Sequence, residues 1–305
     1  MNLAYDLMIL GGGPAGMTAA IYAAKANLKT LVLEKSVCGG LVNSTYHVEN
    51  FPSYREISGQ ELMEKVKNQV ENLGVEIREV VEILEVTLDS AAKVIETDEG
   101  RFTAPAVILS TGRKPKKLPL DIDCDQIHYC AICDGSAYKG KNVLVVGGGN
   151  SGVEESIYLK SLGVNRIILV EQLDRLLASA KAVQQLSCLP EVEILTSTGV
   201  RELKLDNKLK AAILYNSEKN EECEKEVDGV FVYMGQEPQT EIFQGIINLD
   251  ETGYIQASEN METNLPGVFA AGDVIRKKYR QITTAMNDGT IAALMAAEYL
   301  RKLKC

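Results

Sequence analysis

The amino-acid sequence predicts an α/β protein built around two dinucleotide-binding units. Two glycine-rich turns, at residues 11–16 and 147–152, each lie between a predicted buried strand and a predicted helix. Each helix is followed by another strand that ends in a glutamate, Glu34 in the first case and Glu171 in the second. The length of 305 residues also exceeds that of one ordinary domain, so two domains are expected.

The first turn follows a strand over residues 6–10 and opens a helix to about residue 26, after which residues 28–33 form a strand. The first glycine permits a tight turn, the second lets a pyrophosphate approach the backbone, and the third lets helix and strand pack. The helix N-terminus favours phosphate, and the glutamate lies where it can accept hydrogen bonds from ribose hydroxyls. The candidate cofactor-binding residues here are Gly11, Gly13, Pro14, Ala15, Gly16 and Glu34.

The segment between the two turns is predicted to complete the first unit. Helical periodicity covers residues 61–73, and residues 106–110 read as another buried strand. Strands within residues 75–88 and over residues 93–97 predict a small antiparallel layer.

Two loops of this segment carry candidate functional residues. Gly40 and Asn50 could contact a cofactor ring, or could belong to a glycine-rich loop and an Asn-capped turn, and the residues alone leave both readings open. The basic stretch 113–117, which contains a proline, is a candidate linker between domains.

The second turn repeats the first pattern, with a strand over residues 141–146, a helix over 153–161 and a strand over 166–170. The spacing from the last glycine to the glutamate is 19 positions here and 18 in the first unit. Both are near the ~20 that this motif requires. It is the strongest internal repeat of the chain. The candidate residues are Gly147, Gly149, Asn150, Ser151, Gly152 and Glu171.

The rest of the chain is predicted to add three strands and a final helix, over residues 227–234, 253–255, 266–271 and 282–300. Residues 235–239 form a second candidate crossing between the domains. Asp273 follows a strand end beside a glycine. A carboxylate there could reach a ribityl chain or pyrophosphate, or could be a plain helix cap.

A pair of thiols, Cys130 and Cys133, lies just before the second turn, with Asp134 immediately after it. This spacing can close a disulfide or hold a metal. Structural zinc usually needs a second ligand pair, and neither His47 nor His128 forms one by spacing. No metal is therefore predicted, and a redox dithiol is favoured over two buried thiols. Asp134 could exchange the proton that thiolate chemistry requires, or could be a helix N-terminal carboxylate.

The composition indicates which binding partners and which cellular compartment to expect. The net charge of −10 argues against nucleic acid or an anionic membrane as the main partner. Seven scattered cysteines favour a reducing cytoplasm over a secreted disulfide scaffold, and Cys305 is expected to be an isolated tail residue. The apolar stretch 7–24 follows Asp6, lacks a basic flank and contains the glycine turn, so we do not expect a signal peptide. No run is apolar enough to span a bilayer.

Taken together, these motifs resemble the low-molecular-weight thioredoxin reductase family over nearly the whole chain. The related glutathione reductase group carries a wider-spaced cysteine pair near its first turn, and ferredoxin–NADP reductases of similar build lack the pair. The resemblance is carried by Gly-Gly-Gly-Pro-Ala-Gly at 11–16, by residues 48–52, by Cys-Ala-Ile-Cys-Asp-Gly at 130–135, by Gly-Gly-Gly-Asn-Ser-Gly at 147–152, and by residues 266–273 and 279–281.

The resemblance implies two Rossmann-like, three-layer dinucleotide-binding domains, the second inserted into the first. Residues 1–116 and 245–305 would bind FAD, and residues 117–244 would bind a nicotinamide cofactor and carry the dithiol. The family also implies a homodimer whose domains rotate between two poses, and a thioredoxin or thioredoxin-like protein as substrate.

Residue roles follow from the same resemblance. Cys133 would face the flavin, Cys130 would attack the substrate disulfide, and Asp134 would be the acid and base. The candidate cofactor-binding residues outside the two turns are Lys35, Gly40, Leu41, Asn50, Val81, Gly112, Asp273, Arg280, Gln281 and Ile282.

Two departures from the family pattern matter. NADPH-using members carry His-Arg-Arg and a further Arg after the second strand of the inserted domain, where this chain has Glu171, Gln172, Leu173 and then Leu177. A carboxylate repels a 2′-phosphate but accepts well from a free 2′-OH, so NADH is expected over NADPH. This stretch is more similar to the NADH-using flavoprotein subunit of alkyl hydroperoxide reductase. Leu41 stands where the family usually has Gln.

Three other functions were weighed. A ferredoxin-dependent flavin thioredoxin reductase that has lost NAD(P)H use is permitted by the missing basic cluster, although the intact second turn argues against it. A dithiol oxidase that passes electrons to oxygen is a further alternative. A nucleotide-binding redox sensor without catalysis is disfavoured by Asp134 and the complete flavin motifs.

Overall fold

The computed structural model describes residues 3–45, 48–122 and 124–304. His47 and Cys305 lie outside the described residues. The chain forms two compact units, a discontinuous unit of Met1–Lys114 with Glu237–Cys305 and an inserted unit of Pro115–Gln236. The predicted boundaries after residues 116 and 244 lie two and eight positions later than these.

Within the described residues the helices are α1 (Pro14–Lys25), α2 (Gly59–Asn72), α3 (Ala131–Asp134), α4 (Asn150–Ser161), α5 (Ala180–Ser187) and α6 (Ile282–Leu303). Short 3-10 helices cover Gly40–Ser44, Gly135–Tyr138, Glu241–Phe243 and Gly272–Val274. Two helix starts are set by local chemistry. Ser58 caps α2 by accepting from the Glu61 backbone N–H, and Pro14 opens α1, where its missing N–H costs nothing.

The core of the discontinuous unit is a five-stranded parallel sheet. Its strands, in spatial order, are Val268–Ala270, Ala106–Leu109, Leu7–Leu10, Thr30–Leu33 and Glu76–Arg78. The central strands are buried along their whole length, which explains why they read as continuous apolar runs. α1 and α6 pack so closely that a Cβ on Gly289 would lie 2.1 Å from the Ala15 carbonyl oxygen.

A second sheet in this unit corrects one prediction. Its strands are Leu3–Ala4, Gly100–Ala104, Lys93–Thr97 and Ile83–Thr87. The antiparallel pairing of the last two was predicted, but Glu76–Arg78 does not join them as expected. It pairs in parallel with Thr30–Leu33 instead, at the edge of the main sheet. Residues 253–255, also predicted as a strand, form only isolated bridges through Ile255.

The inserted unit repeats the parallel sheet and adds an antiparallel one. The parallel strands, in spatial order, are Ile127–His128, Gly229–Val232, Asn142–Val146, Arg166–Val170 and Val192–Leu195. The antiparallel strands are Thr198–Asp206, Lys208–Asn216 and Glu221–Glu226.

Alternate residues of the central strand Asn142–Val146 face different layers. Leu144 packs in one cluster with Leu203 of the antiparallel sheet, and Val145 packs in another with Leu159 of α4. This alternation follows from the two-residue period of a strand. The parallel sheet therefore lies between a helical layer and an antiparallel layer, as the three-layer prediction requires.

The two chain crossings between the units pair with each other. The strands Arg113–Pro115 and Gln236–Pro238 form a two-stranded sheet, so the segment predicted as a linker is partly regular strand. Of the helices in the described ranges, none combines the length and apolarity that a membrane crossing needs.

Candidate active site

The two thiols of the inserted unit form a disulfide. Cys130 and Cys133 are bonded, with 5.4 Å between their Cα atoms. Cys130 is the N-cap of α3, and its Sγ accepts a hydrogen bond from the Cys133 backbone N–H at 3.2 Å. Cys133 is exposed and Cys130 is half-buried. Both sulfurs are thus held at the first turn of one short helix.

Asp134 ends this helix and also lies in its only turn. Its side chain is 40% exposed, and its Oδ2 lies 3.4 Å from Nδ1 of His128. The carboxylate therefore has a titratable imidazole beside it. A carboxylate that only terminated a helix would not need such a neighbour.

His128 was weighed from the sequence only as a metal ligand, and the structure gives it other partners. Its Nε2 lies 2.6 Å from the hydroxyl of Tyr138. Its ring packs on Phe231 and edge-on to Tyr138, both with ring centroids 5.2 Å away. Burial lowers the pKa of His128, against the charge of Asp134. Burial also raises the pKa of Tyr138 to about 12. The position of His128 two residues before the first thiol was the available signal.

A buried carboxyl group, that of Glu155, lies near the dithiol segment together with Tyr233. Neither Glu155 Oε2 nor the hydroxyl of Tyr233 has a hydrogen-bond partner among the described residues. Burial, with the charge of Glu154, raises the pKa of Glu155 to about 7. Burial also raises the pKa of Tyr233. The backbone of Ala131 in α3 lies near both groups, too far for a hydrogen bond to these two atoms, and lowers both pKa values. The sequence did not single out either residue.

The first glycine turn has the geometry that its spacing predicted. Gly11 has a φ of 107°, and a Cβ on Gly16 would lie 1.9 Å from the Gly11 carbonyl oxygen. A Cβ on Gly13 would meet nothing within 4 Å, so the backbone there is open to a ligand. Glu34 Oε2 accepts a hydrogen bond from the Gly12 backbone N–H at 2.6 Å. Pro14 and Ala15 are the first residues of α1.

The second turn has the same geometry. Gly147 has a φ of 111°, a Cβ on Gly152 would lie 1.9 Å from the Gly147 carbonyl oxygen, and Gly149 is open. Glu171 Oε2 accepts from the Gly148 backbone N–H at 2.6 Å. Asn150 and Ser151 open α4, where Asn150 Oδ1 also accepts from the Ser179 backbone N–H at 2.8 Å.

The loop after Glu171 is apolar where the family pattern has arginines. Leu173 and Leu177 are 46% and 57% exposed. Arg175 is the one basic residue between positions 171 and 179, and it pairs with Asp174 at 3.6 Å on the surface. Glu171 Oε1 accepts from the Leu173 backbone N–H at 2.9 Å, which orders the loop around the carboxylate.

Several residues predicted to bind the flavin converge in the discontinuous unit. A Cβ on Gly40 would lie 3.4 Å from Cα of Gly13, which puts the 3-10 helix Gly40–Ser44, with Leu41, beside the first turn. The side-chain amide of Asn50 donates to Gln281 Oε1 at 3.2 Å. Gln281 in turn is the N-cap of α6, so Ile282 is its first helical residue.

Asp273 and Arg280 each carry a buried polar atom without a hydrogen-bond partner. Asp273 Oδ1 and Arg280 Nε have no hydrogen-bond partner among the described residues, although Asp273 Oδ1 lies 3.3 Å from Lys277 Nζ. Asp273 lies in the 3-10 helix Gly272–Val274 and makes no cap hydrogen bond, so the helix-cap alternative is wrong. Buried polar groups normally have hydrogen-bond partners, and a polar ligand could donate to this oxygen and accept from this nitrogen. These residues fit a flavin cofactor.

For the remaining predicted cofactor-binding residues, the structure gives less direct evidence of a place at the cofactor site. Val81 is buried, and its backbone N–H donates to the Glu34 carbonyl at 3.0 Å, so it adjoins the first turn. Lys35 is exposed beside Glu34. Gly112 has a φ of 66°, and its carbonyl accepts from the Gln239 backbone N–H at 3.0 Å. No group of three or more potential metal ligands occurs within the described part of the chain.

Comparison with known proteins agrees with this geometry. The family model for pyridine nucleotide-disulphide oxidoreductases matches residues 5–289. A Clostridium pasteurianum protein, described as a 34.2 kDa protein in the rubredoxin operon, is 44% identical over 97% of both chains. A thioredoxin reductase of Bacillus subtilis is 37% identical over 98% of this chain and 96% of its own. The crystal structure of Lactococcus lactis thioredoxin reductase has a TM-score of 0.90 at 36% identity, covering 98% of this chain and 99% of that one.

The matched span includes both glycine turns and the disulfide, and the relatives are covered over nearly their whole length. The chain therefore belongs to the pyridine nucleotide-disulphide oxidoreductase family and, within it, to the low-molecular-weight thioredoxin reductases.

Proposed function

We propose that this protein is an FAD-dependent thioredoxin reductase that uses NADH and passes electrons through Cys130 and Cys133 to thioredoxin or a thioredoxin-like protein. The observation that carries the proposal is the disulfide beside Asp134, formed in the same unit as the second glycine turn. The relatives named as thioredoxin reductases support the same activity. The net reaction converts NADH, one proton and a protein disulfide into NAD⁺ and two protein thiols.

FAD is assigned to the discontinuous unit. When bound, this cofactor supplies the two-electron chemistry that connects a nicotinamide to a disulfide. The first turn and the N-terminus of α1 hold its pyrophosphate, and Glu34 accepts from its ribose hydroxyls. The buried oxygen of Asp273 and the buried nitrogen of Arg280 offer a hydrogen-bond acceptor and a donor to its polar groups. Asn50 and Gln281, already bonded to each other, line the same site.

The dithiol carries the electrons onward. In this proposal Cys133 exchanges with the flavin and Cys130 attacks the substrate disulfide. Asp134 supplies the proton when a sulfur departs and removes it when a thiol attacks. Its 3.4 Å contact with His128 supports a role in proton transfer.

NADH is assigned to the inserted unit because Glu171 directly follows the strand Arg166–Val170. Glu171 is oriented by the Gly148 and Leu173 backbone N–H groups and can accept from a free ribose 2′-OH. Neither Leu173 nor Leu177 can neutralise a 2′-phosphate. A hydrogen bond to a charged group contributes about 1.5–3 kcal/mol, so we expect at least a tenfold preference for NADH in kcat/KM.

Reduced ferredoxin is the alternative donor. The absence of a basic cluster permits it. However, the second turn keeps the open Gly149 and the close helix contact at Gly152, as a nucleotide-binding turn requires. These features favour a nicotinamide donor.

The partner, the cellular location and the oligomeric state are proposed from the composition and from the family. The net charge of −10 suits a partner with a positively charged docking surface and does not suit nucleic acid or an anionic membrane. Outside the dithiol, the cysteines Cys38, Cys124, Cys188 and Cys223 are free thiols, which supports a reducing cytoplasmic location. A homodimer is proposed from the family alone.

Replacing each thiol in turn tests the proposed activity. Cys130→Ser and Cys133→Ser should each abolish NADH-dependent reduction of thioredoxin while leaving the FAD content unchanged. Cys188→Ser, which removes an exposed free thiol, is the matched control and should keep the wild-type rate. Wild-type turnover by either dithiol variant would refute the assignment.

A further inference from the structure

A line of three polar side chains leads away from the dithiol. Asp134, at the end of α3, has its Oδ2 3.4 Å from Nδ1 of His128, and Nε2 of His128 lies 2.6 Å from the Tyr138 hydroxyl. His128 ends the strand that leads into the dithiol segment, and Tyr138 ends the 3-10 helix that follows it. Nε2 of the imidazole thus has a hydrogen-bond partner, and Nδ1 has the Asp134 carboxylate as its neighbour.

The imidazole is held firmly in this place. Its ring packs against Phe231 and Tyr138, which also contact each other with ring centroids 5.4 Å apart. Phe231 is fully buried and Tyr138 is 5% exposed. Asp134 is the charged group that acts on His128, and Asp134, Cys124 and Asp228 all act on Tyr138. Asp134 is therefore the charged group most directly affected when His128 gains or loses a proton.

The hydrogen-bond chemistry allows two complete arrangements. With Asp134 ionised and His128 neutral, Nδ1–H points to the carboxylate and Nε2 accepts from the Tyr138 hydroxyl. With one more proton on the pair, a proton lies between Oδ2 and Nδ1, and Nε2–H donates to the Tyr138 oxygen. A tyrosine hydroxyl can donate or accept, so no polar atom loses its partner when the proton arrives. Burial of Tyr138 opposes loss of its own proton, as its pKa of about 12 indicates.

We propose that His128, supported by Tyr138, stores the proton that Asp134 exchanges with the Cys130–Cys133 pair. An imidazole holds a proton at higher pH than a free carboxylic acid does. The inference rests on the proposed function, because it gives the acid and base of that reaction its proton supply. His128 touches Asp134 and not the sulfurs in this arrangement, so it is a positioning residue.

The proton balance is simple. Two electrons from the hydride donor open the disulfide, and each sulfur that becomes a thiol needs one proton. With the extra proton on the pair, Asp134 takes the proton that it shares with Nδ1 and passes it to the departing sulfur, which leaves neutral His128 with its proton on Nε2, still donating to the Tyr138 oxygen. Solvent later restores the proton to the pair. When the dithiol reduces a substrate disulfide, the same steps run in reverse.

The test measures opening of the Cys130–Cys133 disulfide by dithiothreitol in the oxidised holoenzyme, followed by thiol labelling and mass. The rate is divided by the thiolate fraction of dithiothreitol at each pH. A general acid contributes on the order of 10²–10⁴ in rate. The corrected wild-type rate should therefore rise at least about tenfold as the pH falls from 8 to 5.5. The low pKa of His128 puts this rise below pH 6.5.

His128→Phe keeps an aromatic ring against Phe231 and removes both nitrogens, and it should reduce the rise to less than about twofold. Tyr138→Phe removes one hydroxyl and should at least halve the rise. Tyr129→Phe, a matched hydroxyl deletion in the same segment, should leave it unchanged. If His128→Phe fails to fold, Tyr138→Phe decides the outcome.

A wild-type pH rise in both His128→Phe and Tyr138→Phe would overturn the inference. So would an equal loss of rate at every pH, since that is the result of a merely structural role. Because dithiothreitol replaces thioredoxin and NADH in this assay, failure of the proposed function leaves the result readable.

Discussion

In the first unit the turn glycine Gly11 has a φ of 107°, and in the second its counterpart Gly147 has a φ of 111°. In both units the third glycine stands where a Cβ would lie 1.9 Å from a carbonyl oxygen. In both, a glutamate at the next strand end accepts from the backbone N–H of the turn at 2.6 Å. The turns alone therefore indicate that each unit binds a dinucleotide without distinguishing which one.

The difference lies in what surrounds each turn. In the discontinuous unit, Asp273 and Arg280, more than 200 positions along the chain from the turn, have buried polar atoms without a hydrogen-bond partner. In the inserted unit, they belong to Glu155 and Tyr233, next to the dithiol segment. One pair suits a polar cofactor that stays bound. The other places a titratable carboxyl group near the backbone of Ala131, which lies between the two cysteines in sequence. Specificity thus comes from residues outside the repeated motif.

The largest expected difference between the two units is seen on replacing the third glycine of each turn. Gly16→Ala should weaken FAD binding, whereas Gly152→Ala should keep FAD and weaken reduction by NADH. The added methyl group cannot fit at 1.9 Å from a carbonyl oxygen. Overpacking costs about 1–3 kcal/mol, which is roughly 5- to 150-fold in binding constant. The flavin absorbance per protein and the rate of flavin reduction by NADH are the measurements.

Gly74→Ala is an informative control, since Gly74 has open space around its Cβ position but a positive φ, so it reports strain alone. It should retain FAD binding and NADH use. Loss of FAD in Gly152→Ala with retention in Gly16→Ala would reverse the assignment of the two units.

The donor preference can be reversed within the second unit. Replacing Glu171, Gln172 and Leu173 by His, Arg and Arg removes the carboxylate and adds positive charge for a 2′-phosphate. We expect the ratio of kcat/KM for NADH over NADPH to fall by at least about tenfold. Arg175, the one basic residue between positions 171 and 179, limits the effect, and Arg175→Ala in the wild type should raise the preference for NADH. A wild type that already prefers NADPH would contradict the role of Glu171.

The repeated features were predictable from sequence because they depend on local spacing. The bounds of strands such as Arg166–Val170 and the roles of the turn glycines follow from apolar runs and glycine positions. The antiparallel sheet of the inserted unit was missed because Glu221–Glu226 has almost no apolar residue to mark a strand. Its partners, not its own pattern, stabilise it.

The site was predictable only in part for a related reason. Cys130, Cys133 and Asp134 lie close together in sequence, so their motif can be recognised from the sequence alone. The contact of Asp134 with His128 depends on the side chain of a strand-end residue, and that of Ala131 with Glu155 depends on helix packing. Sequence spacing carries no information about such contacts. The same holds for the unsatisfied atoms of Asp273 and Arg280.

The smallest expected effect concerns stability and its pH dependence. The pKa of Glu155 is raised to about 7, so in the folded state it binds a proton more tightly than in the unfolded chain. Its contribution to the free energy of unfolding is present below pH ~4.3 and is lost as the pH rises through about 7. Glu155→Gln should therefore stabilise the protein by about 2 kcal/mol more at pH 8 than at pH 5.

Thermal unfolding at the two pH values measures this effect. Glu202→Gln, at an exposed position of the antiparallel sheet, removes the same charge and should change stability equally at both. An equal effect of Glu155→Gln at pH 5 and pH 8 would show that this carboxyl group is not held neutral by burial.

The central claim is that electrons pass from NADH through this protein to thioredoxin. It is tested most directly by mixing the oxidised holoenzyme anaerobically with NADH, NADPH or reduced ferredoxin, and then adding oxidised thioredoxin to the same cuvette. The visible absorbance of the flavin should bleach with NADH, bleach at least about tenfold more slowly with NADPH, and return when thioredoxin is added. Bleaching by reduced ferredoxin alone, or no return of colour with thioredoxin, would contradict the account.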